Sequence, residues 1–182
     1  MAFPGFPISW ISLGGAGAVC LAMFCGVSAA AAQGNPVEYA VKATYLYKFA
    51  PFVEWPQSAA LEPAADLTLC VVGDDTFGAV LEQAVRGQRV DTHSLTVRRL
   101  TVLTPDAGCR VAFLSGPQLE TNLAIATGTP ILTVTDGAPS ATVRGIINFV
   151  IENNRVRFQI DNEAALKNGL VISSKLLSLA VR

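Results

Sequence analysis

Apolar residues follow two rhythms along this chain, and the rhythms sort it into elements. Leu67 to Asp75, LTLCVVGDD, carries no charge until it reaches Asp74. A run this rich in Leu, Val and Cys predicts a strand covered on both faces, ending at Gly73-Asp74-Asp75 in a turn and a helix cap. The helix then runs over Thr76 to Arg86, with Phe77, Val80, Leu81, Ala84 and Val85 as its apolar side and Gly87 as its stop. The same strand-then-helix order recurs downstream. Leu95 to Leu103 alternates as a strand, in which neighbouring Arg98 and Arg99 face opposite ways and so make a poor phosphate clamp. Cys109 to Ser115 (CRVAFLS) is a further apolar strand, and Gly116-Pro117 opens a helix with Leu119, Leu123 and Ile125 to bury. Ile131 to Thr135 follows as a strand, with Asp136-Gly137-Ala138-Pro139 as the loop at its end.

Upstream, Asn35-Pro36 joins an N-cap to a first-turn proline, and Val37, Val41, Tyr45 and Phe49 recur every four residues. A helix with that stripe buried is expected, with Lys42 off the stripe and Pro51 ending it near Phe49. The aromatic segment FVEWP comes next, then a loop over Gln57 to Asp66. In the last third, Ile146 to Ile151 and Val156 to Ile160 are strand-like runs joined by Glu152-Asn153-Asn154-Arg155, which predicts a hairpin. A short helix over Glu163 to Lys167, an extended Leu170 to Ile172 and a final helix, KLLSLAV, capped by Ser173 or Ser174, complete the chain. The expected fold is a single three-layer, Rossmann-like α/β domain. Its sheet is mixed but mostly parallel and ends in the C-terminal hairpin.

Composition changes the picture at the N-terminus. Ile8 to Ala32 is almost wholly apolar or small, and its end, AAAA before Gln33, offers the small residues that signal peptidase requires. Residues 1–32 are expected to be a cleaved export signal, with an uncleaved periplasm-facing membrane anchor as the alternative. All 13 Lys and Arg and all 14 Asp and Glu lie in residues 33–182, so the domain is close to neutral and suits neither nucleic acid nor an anionic membrane. Cys20 and Cys25 belong to the signal, leaving Cys70 and Cys109 as an even pair. An oxidising compartment favours a disulfide between them, two separate buried thiols being the other outcome.

Candidate chemistry is sparse. The chain has no nucleophile elbow, phosphate loop, HExxH, EF-hand loop or paired-cysteine zinc motif, so no metal, cofactor or catalytic residue is expected. His93 is the single imidazole and is expected to be an exposed loop residue. Loops at the C-terminal ends of α/β strands are where such sheets hold ligands, which makes Asp74, Ser115 and Asp136 the ligand-loop candidates.

Three sets of residues then point to one family. They are YLYKFA (45–50) with FVEWP (52–56), GIINF (145–149) with RVRF (155–158), and GLVISSKLLSLA (169–180). Together they resemble the YfiR family of periplasmic proteins, over Val37 to Arg182. The resemblance implies a small α/β protein that dimerises, binds the periplasmic sensing part of an inner-membrane diguanylate cyclase and holds it inactive, so lowering cyclic di-GMP and biofilm output. It also implies that Cys70 and Cys109 form the family's structural disulfide, while a later disulfide of some relatives has no cysteines here. Pro51 stands where relatives commonly have lysine, and Arg144-Gly145 replaces a more usual Gly-Gly. Phe52, Trp55, Asn148, Arg157 and Lys175 are the candidate partner contacts. A periplasmic binder of a small molecule or cell-wall fragment, signalling to another receptor, is the alternative.

Overall fold

The computed structural model describes residues 35–137 and 143–182. The apolar segment read as an export signal lies outside the described residues, as do Ala138 and Pro139 of the loop after Asp136. Helix α1 (Pro36–Phe49) leads through a 3-10 turn (Ala50–Phe52) into β1 (Val53–Glu54). There follow β2 (Leu67–Val72), α2 (Ala79–Val85), β3 (Arg89–Val90), β4 (His93–Leu100), β5 (Val111–Leu114), α3 (Leu119–Ala126) and β6 (Leu132–Asp136). The hairpin β7 (Ile147–Glu152) and β8 (Arg155–Ile160) precedes α4 (Asn162–Lys167), β9 (Val171–Ile172) and α5 (Ser174–Leu179).

The seven-stranded sheet has the order β3-β4-β2-β5-β6-β7-β8. Its five inner strands pair in parallel, and β3 and β8 close the two edges antiparallel, so the expected mixed, mostly parallel sheet is present. The period-2 alternation of side chains divides its core in two. Leu69, Val71, Val111, Phe113, Leu132, Val134, Ile147 and Phe149 pack with α1, α2, α4 and α5 on one side. Cys70, Val72, Ala112 and Leu114 pack against Ala126 of α3 and the 103–109 loop on the other. This is the three-layer α/β arrangement. The hairpin turn is made by Asn153 and Asn154, both at positive φ (50° and 59°), as a two-residue loop matched to strand twist demands.

Local structure departs from expectation in four places. Helix α1 is rotated: Val37 and Val41 are 69% and 38% exposed, and the buried positions are Lys42, Ala43, Leu46, Tyr47 and Phe49. Lys42 is drawn inside by two carboxylates, and the helix turns with it. Helix α2 begins at Ala79 instead of Thr76, because the Asp75 carboxylate accepts from the backbone N–H groups of Phe77 (2.9 Å) and Gly78 (3.0 Å) in a non-helical turn. Strand β4 starts at His93, so His93 is not in an exposed loop. It is half-buried, with Nδ1 2.8 Å from the Ala65 carbonyl, because β3 folds back on it in a short hairpin. The short segments Val53–Glu54 and Val171–Ile172 pair antiparallel with each other as a separate ribbon.

The parallel pair β6 and β7 is joined without a helix among the described residues. Instead the strand-like approach to β7 lies on the sheet, where Gly145 N–H donates to Thr135 Oγ1 (2.9 Å) and Ile146 N–H to Thr133 Oγ1 (3.0 Å). Both threonines are buried, so their hydroxyls answer for backbone groups that a helix would have satisfied internally. A Cβ on Gly145 would sit 2.8 Å from the Thr133 carbonyl oxygen, which only backbone movement could relieve. Gly145→Ala is therefore expected to lower stability by about 2–3 kcal/mol. A urea midpoint equal to that of the wild type would show that the strap is not pressed onto β6.

Candidate functional site

Sequence order along the sheet reverses between β2 and β5, the kind of point at which open α/β sheets bind ligands. Two of the ligand-loop candidates meet there. Ser115 Oγ donates to the Asp74 carbonyl at 2.6 Å, and Gly73, at φ +88°, lies so close to Ser115 that a Cβ would be 2.1 Å from its carbonyl oxygen. The two loops are thus held against each other at this point. Beside it, Arg99 of β4 pairs with Asp75 (2.6 Å) and with Glu82 of α2. Burial would raise the Asp75 pKa, but Arg99 and the N–H groups of Gly78 and Phe77 outweigh it and hold the carboxyl below its ordinary value.

The third candidate, Asp136, is also engaged. Its carboxylate accepts from Lys42 Nζ at 2.6 Å, and Glu38 one helical turn away pairs with the same ammonium. Lys42 is only 2% exposed, and the Tyr39 ring lies 5.2 Å from its nitrogen. Burial alone would lower the lysine pKa, yet the hydrogen bonds and charges of Asp136 and Glu38 win, and it is raised above 10.5. This triplet bolts α1 to the end of β6. Nothing in the sequence spacing joins Lys42 to a residue this far along the chain.

A different surface collects the aromatic segment. In the β1–β9 ribbon Val53 pairs with Ile172 and Glu54 with Val171, and Ser173 N–H donates to the Phe52 carbonyl at 2.9 Å. Lys175 then reaches over the Phe52 ring, 5.6 Å from its centre. Trp55 donates through Nε1 to the Pro130 carbonyl (3.1 Å) and covers the Arg110 guanidinium at 4.9 Å, while Arg110 also donates to the Ala59 carbonyl. Burial pushes the Arg110 pKa down. Outward, the ribbon presents Glu54, Lys175 and Val171, the last 50% exposed, with Phe52 and Trp55 half-buried beneath them.

The motifs that are far apart in sequence are neighbours here. Tyr45 and Phe49 of α1 pack on Phe149 and Phe158 of the hairpin, with Phe49 and Phe158 ring centres 5.1 Å apart. The β1–β9 ribbon joins FVEWP to the GLVISSKLL segment. The family model described as YfiR/HmsC-like matches residues 39–181, which covers all of these elements beyond the first residues of α1. The chain belongs to the YfiR/HmsC-like family. Comparison with curated proteins finds no match. The YfiR/HmsC-like domain is a regulatory, non-catalytic domain.

In this member of the family, Cys70 and Cys109 are joined by a disulfide with Cα atoms 5.7 Å apart, the bond that an oxidising, exported compartment maintains. No helix among the described residues is long and apolar enough to cross a membrane. The candidate partner contacts separate. Phe52, Trp55 and Lys175 gather at the ribbon, Arg157 is exposed on β8, and Asn148 is 5% exposed and accepts from Thr135 Oγ1 (2.9 Å). Sequence reasoning missed Lys42, Arg110 and Asn122. Asn122 is fully buried on α3 and accepts from Leu103 N–H at 2.9 Å to hold the loop before Cys109. In the sequence Lys42 stands off the apolar stripe, and its burial is read only with a partner 94 residues away.

Proposed function

We propose that this chain is a periplasmic regulator that binds the sensing domain of an inner-membrane diguanylate cyclase and holds the cyclase inactive, lowering cyclic di-GMP and biofilm formation. The observation that carries the reading is the YfiR/HmsC-like match over nearly the whole domain, with its N- and C-terminal motifs meeting in one ribbon. Phe52, Trp55 and Lys175 form the contact surface, with Arg157 at the neighbouring sheet edge. Binding stabilises the inactive state of the partner by differential affinity, so the regulator needs a rigid surface and no chemistry. A homodimer forms through the exposed apolar positions of α1, Val37 and Val41, which share a cleft with Ile151.

The test is intracellular cyclic di-GMP, measured by mass spectrometry in the source bacterium with and without the gene. Deletion is expected to raise it several-fold, and the wild-type chain to restore it. A Phe52→Ser, Lys175→Glu double variant, with its urea midpoint checked, is expected to accumulate normally and fail to restore it. Unchanged cyclic di-GMP on deletion under several growth conditions would sink the reading, and full restoration by the double variant would remove the ribbon from it.

A further inference from the structure

Beside the strap that leads into β7, no crossover helix lies between β6 and β7 among the described residues. Here α3, α4 and the strap enclose a cleft of about 470 Å³, within the range of small-molecule sites. Leu123, Ala126, Ile146 and Ala164 give it an apolar lining, and Arg144 and Glu120 are its charged groups. None of these residues belongs to the ribbon or to the sheet end described above.

Arg144 is the unusual member. Its side chain is 27% exposed, and its Nε is buried with no hydrogen-bond partner among the described residues. The nearest carboxylate oxygen, on Asp161, is 3.8 Å from a terminal nitrogen, beyond hydrogen-bond reach. Asp161 is already used, since its other oxygen accepts from Ala164 N–H (2.9 Å) to cap α4. The guanidinium therefore has one loose ion pair, with Asp161, and no hydrogen bond, so its donors are unspent beside an apolar wall. Leaving such donors unpaired is costly, and a planar two-oxygen acceptor fits the fork of an arginine best. Glu120 and Asp161 nearby would repel a dianion.

We infer that this cleft is a binding site for a small monocarboxylate with an aliphatic body, its carboxylate on Arg144 and its chain along Leu123, Ala126, Ile146 and Ala164. The acidic pair admits either a simple carboxylate or one that carries an ammonium group as well. The site stands apart from the cyclase reading and holds whichever receptor the protein serves.

The test is ligand-observed NMR titration of the purified full chain with four six-carbon probes: hexanoate, norleucine, hexylamine and hexan-1-ol. Saturable binding of hexanoate or norleucine is expected, weakened at least tenfold by Arg144→Gln, as loss of a charge-assisted bidentate contact requires. Whichever of the two binds more tightly shows whether Glu120 takes an ammonium. Should Arg144→Gln fail to fold, Ala164→Leu narrows the cleft instead and is expected to weaken the same probe. Absence of saturable binding by both carboxylates, equal binding to the variant, or hexylamine or hexan-1-ol binding as tightly as hexanoate would overturn the assignment.

Discussion

Lys42→Ala is expected to destabilise the domain by about 3–5 kcal/mol, the cost of breaking a buried ion pair by removing one partner. The lysine is 2% exposed, and its removal leaves Asp136 and Glu38 close together with no cation between them. Packing is lost as well, because the lysine stem fills space on the inner side of α1. A second variant separates the two causes. If orphaned charge dominates, Lys42→Met combined with Asp136→Asn and Glu38→Gln recovers most of the loss, since an uncharged replacement of similar volume needs no counter-ions. If the single variant lost less than about 1 kcal/mol, the triplet would rank with exposed surface pairs, which contribute that little. The pH dependence follows from the sign of the shift. Lys42 is raised above its unfolded value of 10.5, so its contribution is fully present below that pH and fades as pH climbs through the higher folded value. Alkaline unfolding of the wild type, followed by circular dichroism, is expected to begin only above about pH 10.5 from this cause.

Loss of the disulfide is the second large effect. Cys70 sits in the central strand β2 and Cys109 just ahead of β5, at a sequence separation of 39 and with both side chains inside the smaller core. In the chain-entropy model a loop of that length gives about 4 kcal/mol. Total stabilities of single domains run to about 5–15 kcal/mol, so Cys70→Ala with Cys109→Ala removes a large fraction. The loop before Cys109 keeps other ties, through Asn122 to Leu103 N–H and through Arg98 to the Ala107 carbonyl, which hold native geometry but do not constrain the unfolded chain. The double variant is therefore expected to fold, with a urea midpoint shifted down by the equivalent of about 4 kcal/mol. A shift below about 1 kcal/mol would mean that the reduced unfolded state is already compact. On the regulatory reading, the weakened protein is cleared faster in the periplasm, and cyclic di-GMP rises with it.

Much of the secondary structure was legible because its signals are local. The apolar run at Leu67–Val72, the Asn153-Asn154 turn and the Ser173 cap with its side chain on Leu176 N–H each depend on residues a few positions apart. The α1 stripe was not legible, because hydropathy assigns Lys42 outward and Val37 inward, and only Asp136 on another element reverses that. Strands β1 and β3 were missed since two-residue segments carry too little periodicity to stand out, and the extended Leu170 to Ile172 was read without its pairing to Val53 and Glu54.

By itself the sequence determined the α/β class, the order of the main strands and helices, the cysteine pair and the family, since hydrophobic period, turn residues and motif identity are properties of contiguous stretches. Tertiary structure alone decided that Asp136 pairs with Lys42, that FVEWP and GLVISSKLL share one ribbon, and that Arg144 faces a cleft with one loose ion pair and no hydrogen bond. Those facts depend on pairings between residues tens of positions apart, where burial and the demand to satisfy each buried charge and backbone group select the partner.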